Sequence, residues 1–89
     1  MPERTFVIKN SLGIHARPAA MFVEVASRYD SQIMIERDGM EVNGKSIMGV
    51  LMLAAEQGAR LQIRAEGPDA KQALEALADL IDKRMFDEK

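Results

Sequence analysis

Eighty-nine residues make one domain with one modest core, too small for a deep cleft between two lobes. The absence of cysteine and the presence of a single histidine exclude a disulfide framework, a thiolate zinc site, a cysteine nucleophile and a multi-imidazole metal site. Fourteen acidic against twelve basic residues leave a net charge of −2, the wrong sign for a domain that holds duplexes by neutralising phosphates, so nucleic acid is not an expected partner.

The first strand is expected over residues 4–9 (RTFVIK), where β-branched and aromatic residues concentrate, and Asn10-Ser11-Leu12-Gly13 is turn chemistry that stops it. A helix follows, with Ala19, Phe22, Val23, Ala26 and Tyr29 on one apolar face and Pro18 in the first turn, where its missing N–H breaks no bond. Gln32–Arg37 alternates, Asp38-Gly39 is a strong hairpin signal, and Met40–Asn43 returns as a second short strand. Ser46 is placed as the N-cap of a helix over residues 47–57, ended by Gly58 in the C′ role. Arg60–Glu66 alternates again and stops at Gly67-Pro68. Asp69 caps the last helix with Gln72 as its capping-box partner. Ala70, Ala73, Leu74, Leu77, Leu80 and Ile81 form its apolar stripe, down to Lys83-Arg84. The order β-α-β-β-α-β-α, with strands polar on one face, predicts an α+β two-layer open-faced sandwich: a four-stranded antiparallel sheet with three helices on one side. Only Phe6, Phe22, Tyr29 and Phe86 are aromatic, so the core is expected to be aliphatic, with Met filling gaps.

The N-terminal residues carry no signal-peptide apolar stretch, and the longest apolar run, residues 47–55, is far short of the roughly 20 residues of a bilayer span. A soluble, cytoplasmic protein without direct membrane insertion is expected.

Chemistry concentrates at two places. The lone histidine, His15, falls where the turn Gly13-Ile14 meets the helix start, a place that offers free backbone N–H groups and the positive end of a helix dipole. The amides of Ala16 and Arg17 stay uncommitted beside the imidazole, and the Arg17 guanidinium suits a phosphate or a carboxylate. A neutral ring nitrogen there could accept a phosphoryl group. On position alone, a plain capping or surface histidine with a solvated Arg17 fits as well.

The second place is Gly44-Lys45-Ser46. Gly39 to Ser46 satisfies the Walker A spacing, but Gly39 belongs to the hairpin turn and the residues between read as a strand, so a nucleotide-binding loop is rejected. Ser46 remains as a cap hydroxyl where an added phosphate would meet helix N–H groups and Lys45. The helix it starts is apolar all round before Glu56. Such a helix is either deeply buried or leaves part of Ile47, Met48, Leu51 and Met52 exposed as a docking surface.

Gly13-Ile14-His15-Ala16-Arg17-Pro18-Ala19 and Asn43-Gly44-Lys45-Ser46-Ile47-Met48-Gly49-Val50 together resemble the two signatures of the HPr family, the histidine-containing phosphocarriers of the bacterial phosphoenolpyruvate-dependent sugar phosphotransferase system. The resemblance covers essentially the whole chain. It implies a phosphohistidine at His15, formed on Nδ1 and stabilised by Arg17 and the Ala16 and Arg17 amides, and regulatory phosphorylation of Ser46. It further implies a docking surface of Ala20, Ser27, Ile47, Met48, Leu51 and Met52. Enzyme I as donor, enzyme IIA proteins as acceptors and an HPr kinase/phosphorylase are the implied partners, with no metal or other cofactor. The chain is expected to act as a monomer and as a carrier, not as a self-contained enzyme. The alternative within the same family is a nitrogen-related or carbon-catabolite regulatory module that works mainly by binding partners. Leu53-Ala54-Ala55-Glu56-Gln57-Gly58-Ala59-Arg60 departs from the family's most familiar pattern, whereas Lys45-Ser46-Ile47-Met48-Gly49 favours the kinase-regulated carrier.

Overall fold

Residues 2–87 are described in the computed structural model. They run β1 (Glu3–Val7), α1 (Ala16–Ala26), β2 (Gln32–Arg37), β3 (Met40–Asn43), α2 (Ile47–Met52), β4 (Arg60–Glu66) and α3 (Ala70–Ala78). Past Ala78, α3 widens into a π-helical turn over Asp79–Lys83 and closes in a tight turn at Met85–Asp87 whose three residues all have positive φ.

The strands form one antiparallel sheet in the order β1-β4-β2-β3, and the helices pack on it as an open-faced sandwich, as expected from the alternation. Phe6, Ile33, Ile35, Leu61, Ile63 and Ala65 are buried beneath the helices, while the residues between them in β4 turn outward. From the helices, Ala19, Phe22, Ala26, Val50, Ala73, Leu74 and Leu77 close the core. Among the described residues no helix is long and apolar enough to cross a membrane.

Several details depart from the expectations. β1 ends at Val7: Ile8 leaves the ladder to exchange backbone bonds with the turn before β4, donating to Ala59 O and accepting from Gly58 N. α2 stops at Met52, five residues before the expected Gln57. The Leu53 and Ala54 carbonyls accept hydrogen bonds from the Arg37 guanidinium at 3.1 and 2.9 Å, and Ala54 turns the chain with a φ of 47°. Gly58, with a φ of 90°, serves the turn into β4 and is no helix C′ residue. Asp69 stands at the N-cap of α3, but its carboxylate makes no cap bond. It accepts instead from the Asp30 and Ser31 amides at 2.9 Å and from the Ser31 hydroxyl, stapling the α1–β2 loop to the start of α3, so the box with Gln72 does not form. The core is mainly aliphatic, as composition implied, but Phe6, Phe22 and Phe86 are buried in it, and Met does not fill it: Met21 and Met34 are half-buried and Met40, Met48, Met52 and Met85 are exposed.

Candidate functional site

The turn before α1 is built for closeness. The Asn10 amide, buried to 1% exposure, donates to Gly13 O at 2.6 Å while Gly13 N donates to Asn10 O at 3.1 Å. Gly13 has a φ of 68°, and a Cβ there would stand 2.3 Å from Ala55 O, so both backbone angle and space require glycine. The next amide, Ile14 N, donates to the same Ala55 O at 2.7 Å. The chain thus reaches His15 tied to the loop that follows α2.

His15 is the N-cap of α1 in extended conformation, its carbonyl accepting from Ala19 N at 2.9 Å. Its exposed side chain makes no cap bond. The imidazole is therefore committed to nothing in the helix, and the amides of Ala16 and Arg17 lie in the first turn, where N–H groups have no intrahelical acceptor. Pro18, third in the helix, is buried and sets that turn. Arg17 is exposed, its Nη1 resting 3.2 Å from Met21 Sδ one turn on. A thioether is a weak acceptor, so this contact holds the guanidinium without consuming it. The Asp87 carboxylate is held below the usual carboxylate range, first by its bidentate hydrogen bonds from Arg84 and more weakly by the charges of Arg84 and Arg17.

Ser46 does cap α2: its hydroxyl accepts from Gly49 N at 3.1 Å. Lys45 turns away from that cap, and its ammonium donates to Tyr29 O at 2.6 Å, covering a carbonyl just past the end of α1. The lysine of the Walker-like string is thus spent on a helix end, and residues 40–43 of that string are strand β3. Because Lys45 meets the C-terminal end of α1 and Ala55 meets its N-terminal end, α2 runs antiparallel to α1. His15 and Ser46 therefore stand toward opposite ends of the α1–α2 pair.

The exposed apolar face of α2 excludes the reading of that helix as deeply buried. Ile47, Met48 and Met52 are 44%, 70% and 62% exposed; Val50 and Leu53 are buried; Leu51, expected on the open face, is half-buried against the core. Ala20 is exposed on α1 and Ser27 at its C-cap. Leu12, missed from the sequence, adds a 74% exposed side chain on the turn just ahead of His15. The one signal for it was an apolar residue inside an otherwise polar turn. A surface depression of about 350 Å³ lies elsewhere, lined by Arg4, Glu75, Ala78, Asp79, Asp82 and Lys83 between β1 and the end of α3.

Residues 2–83 match the family model described as "PTS HPr component phosphorylation site". The chain is 47% identical over 88 residues to the phosphocarrier protein HPr of Treponema pallidum (strain Nichols), spanning 99% of this chain and all of that protein. It is 46% identical over 83 residues to the HPr-like protein Crh of Halalkalibacterium halodurans, covering 93% of this chain and 99% of that one. Among solved structures, HPr-C-His from Thermoanaerobacter tengcongensis is 49% identical and superposes with a TM-score of 0.95 over 100% of this chain and 99% of its own, and a dimer of HPr from the same organism matches at 0.76 over 96% and 98%. The chain belongs to the HPr family, the phosphocarriers of the phosphotransferase system.

Proposed function

We propose that the chain carries a phosphoryl group on His15, received from enzyme I charged by phosphoenolpyruvate and passed to enzyme IIA proteins. The observation that carries this reading is an exposed imidazole at the N-cap of α1 that makes no cap bond, beside the first-turn amides of Ala16 and Arg17 and the lightly held Arg17 guanidinium. Nδ1 attacks phosphorus as the donor's bond to it breaks, and the N–P bond breaks in turn as the next acceptor attacks. Helix-start amides and Arg17 stabilise the charged oxygens in between. An exposed carrier residue leaves room for each partner to bring its own catalytic groups.

Ile47, Met48 and Met52, with Leu12 and Ala20, form the docking surface, and Ser46 at the head of α2 is the regulatory position for an HPr kinase/phosphorylase. The chain works in this reading as a cytoplasmic monomer. Incubation with enzyme I and phosphoenolpyruvate is expected to add one acid-labile phosphate by intact mass, and none to His15→Ala; a gain that persists in His15→Ala overturns the reading. The second reading, a regulatory module acting through partner binding, draws on the exposed α2 face and on the likeness to Crh. It predicts that His15→Ala keeps its partner binding and its physiological role.

A further inference from the structure

We infer that Arg37, on β2, is a positioning residue for His15, acting through the loop that follows α2. Its side chain, 20% exposed, is the hub of that loop. Nη1 donates to Leu53 O at 3.1 Å and Ala54 O at 2.9 Å, Nη2 pairs with Glu56 Oε1 at 2.5 Å, and Nε faces Asp38 Oδ2 at 3.7 Å. The guanidinium thus grips the residues on both sides of Ala55. Ala55 is the residue that accepts from Ile14 N at 2.7 Å and whose carbonyl stands against Gly13. The path from Arg37 to the imidazole is short and made of backbone: Arg37 to Ala54 and Glu56, Ala55 to Gly13 and Ile14, then His15.

Two features show that the grip is needed. Ala54 has a φ of 47°, a conformation an L-residue with a side chain adopts at some cost, so something must hold it there. Arg37 satisfies the carbonyls that α2 leaves open when it ends, which a lysine's point charge could do only one at a time. The Glu56 carboxylate is held below the usual carboxylate range, by its own backbone amide first and the Arg37 hydrogen bond next, consistent with a formed ion pair.

The consequence for transfer rests on His15 being the phosphoryl acceptor; the consequence for backbone order does not, so the two are read separately. In unphosphorylated Arg37→Ala, amide hydrogen exchange at Ile14 is expected to quicken about tenfold relative to Ile63 in the sheet centre, as a lost backbone clamp opens locally. The His15 ring signals in NMR shift with it. Arg37→Lys, which keeps the charge without the fork, should fall between wild type and Arg37→Ala in both readouts. Should Arg37→Ala fail to fold, Glu56→Gln, which removes one arm of the grip, is expected to quicken Ile14 exchange about twofold to threefold. With enzyme I and phosphoenolpyruvate, Arg37→Ala accepts phosphate about threefold to tenfold more slowly, with Arg37→Lys partly restoring the rate. Unchanged Ile14 exchange and His15 signals in a folded Arg37→Ala, or in Glu56→Gln where that variant stands in, overturn the inference, as does a perturbed Ile14 with an unchanged transfer rate. A wild-type chain that takes no phosphate overturns the carrier reading alone and leaves the exchange result to judge the clamp.

Discussion

Asp69 shows how a single side chain can serve a different place from the one its position suggests. Its local signals, a carboxylate ahead of an apolar run, are those of a helix cap, yet the carboxylate goes to Ser31 and the Asp30 amide, 38 and 39 residues away. Those hydrogen bonds, the Ser31 hydroxyl first and the Asp30 amide next, hold the carboxyl below the usual carboxylate range. A depressed value in the folded state contributes stability that is fully present above the unfolded value near ~4 and is lost as pH falls through the folded one. Thermal melting followed from about pH 6 to about pH 2 is therefore expected to show Asp69→Asn less stable at the neutral end and with a flatter acid limb; an acid limb as steep as wild type would refute the assignment. His15, Arg17 and Ser46 were legible as residues because their settings are local: a turn, a helix start, a cap hydroxyl. Arg37, Asp69 and Lys45 were not, because each acts on backbone brought near only by the fold, and nothing in a period-two or 3.6 pattern names the carbonyl a distant cation will meet.

At the scale of elements, all four strands and three helices were legible from periodicity and turn chemistry, and the largest error of boundary fell on the end of α2. Residues 53–55 continue the apolar run and Glu56 and Gln57 are good helix formers, so the local signal runs on to Gly58. The helix ends earlier because Arg37 takes its carbonyls and Ala55 is needed against Ile14. The short α2 that results presents two sides with different duties. Val50→Ala, at a site 2% exposed, is expected to cost about 2 kcal/mol in urea unfolding, while Met48→Ala, at 70%, stays within about 0.5 kcal/mol and instead slows phosphorylation by enzyme I at limiting concentration. Ser46→Asp adds charge at the head of the same face and is expected to slow that reaction further; phosphorylation at the wild-type rate in both variants would remove this face from the docking surface.

For the whole molecule, the sheet order was not legible, since alternation tells which face of a strand is buried and not which strand lies beside it. It places β4, late in the chain, between β1 and β2, so the first and last thirds of the sequence are joined in the sheet itself. The C-terminal turn continues this closure. Phe86 lies past the point where the last apolar stripe stopped, yet it is fully buried, carried there by three successive residues of positive φ and an Arg84–Asp87 pair. Phe86→Ala is expected to cost about 3–4 kcal/mol in urea unfolding, and a cost below about 1 kcal/mol would show the turn to be dispensable.

The antiparallel set of α1 and α2 leaves His15 at one end of a short apolar strip and Ser46 at the other. If His15 and Ser46 carry the two proposed phosphates, the added charges would stand at opposite ends of that strip. Four chemical forms of the same small surface would then be open to the chain, and a partner lying along the strip would meet both ends at once, sorting the population by the combination and not by either mark alone.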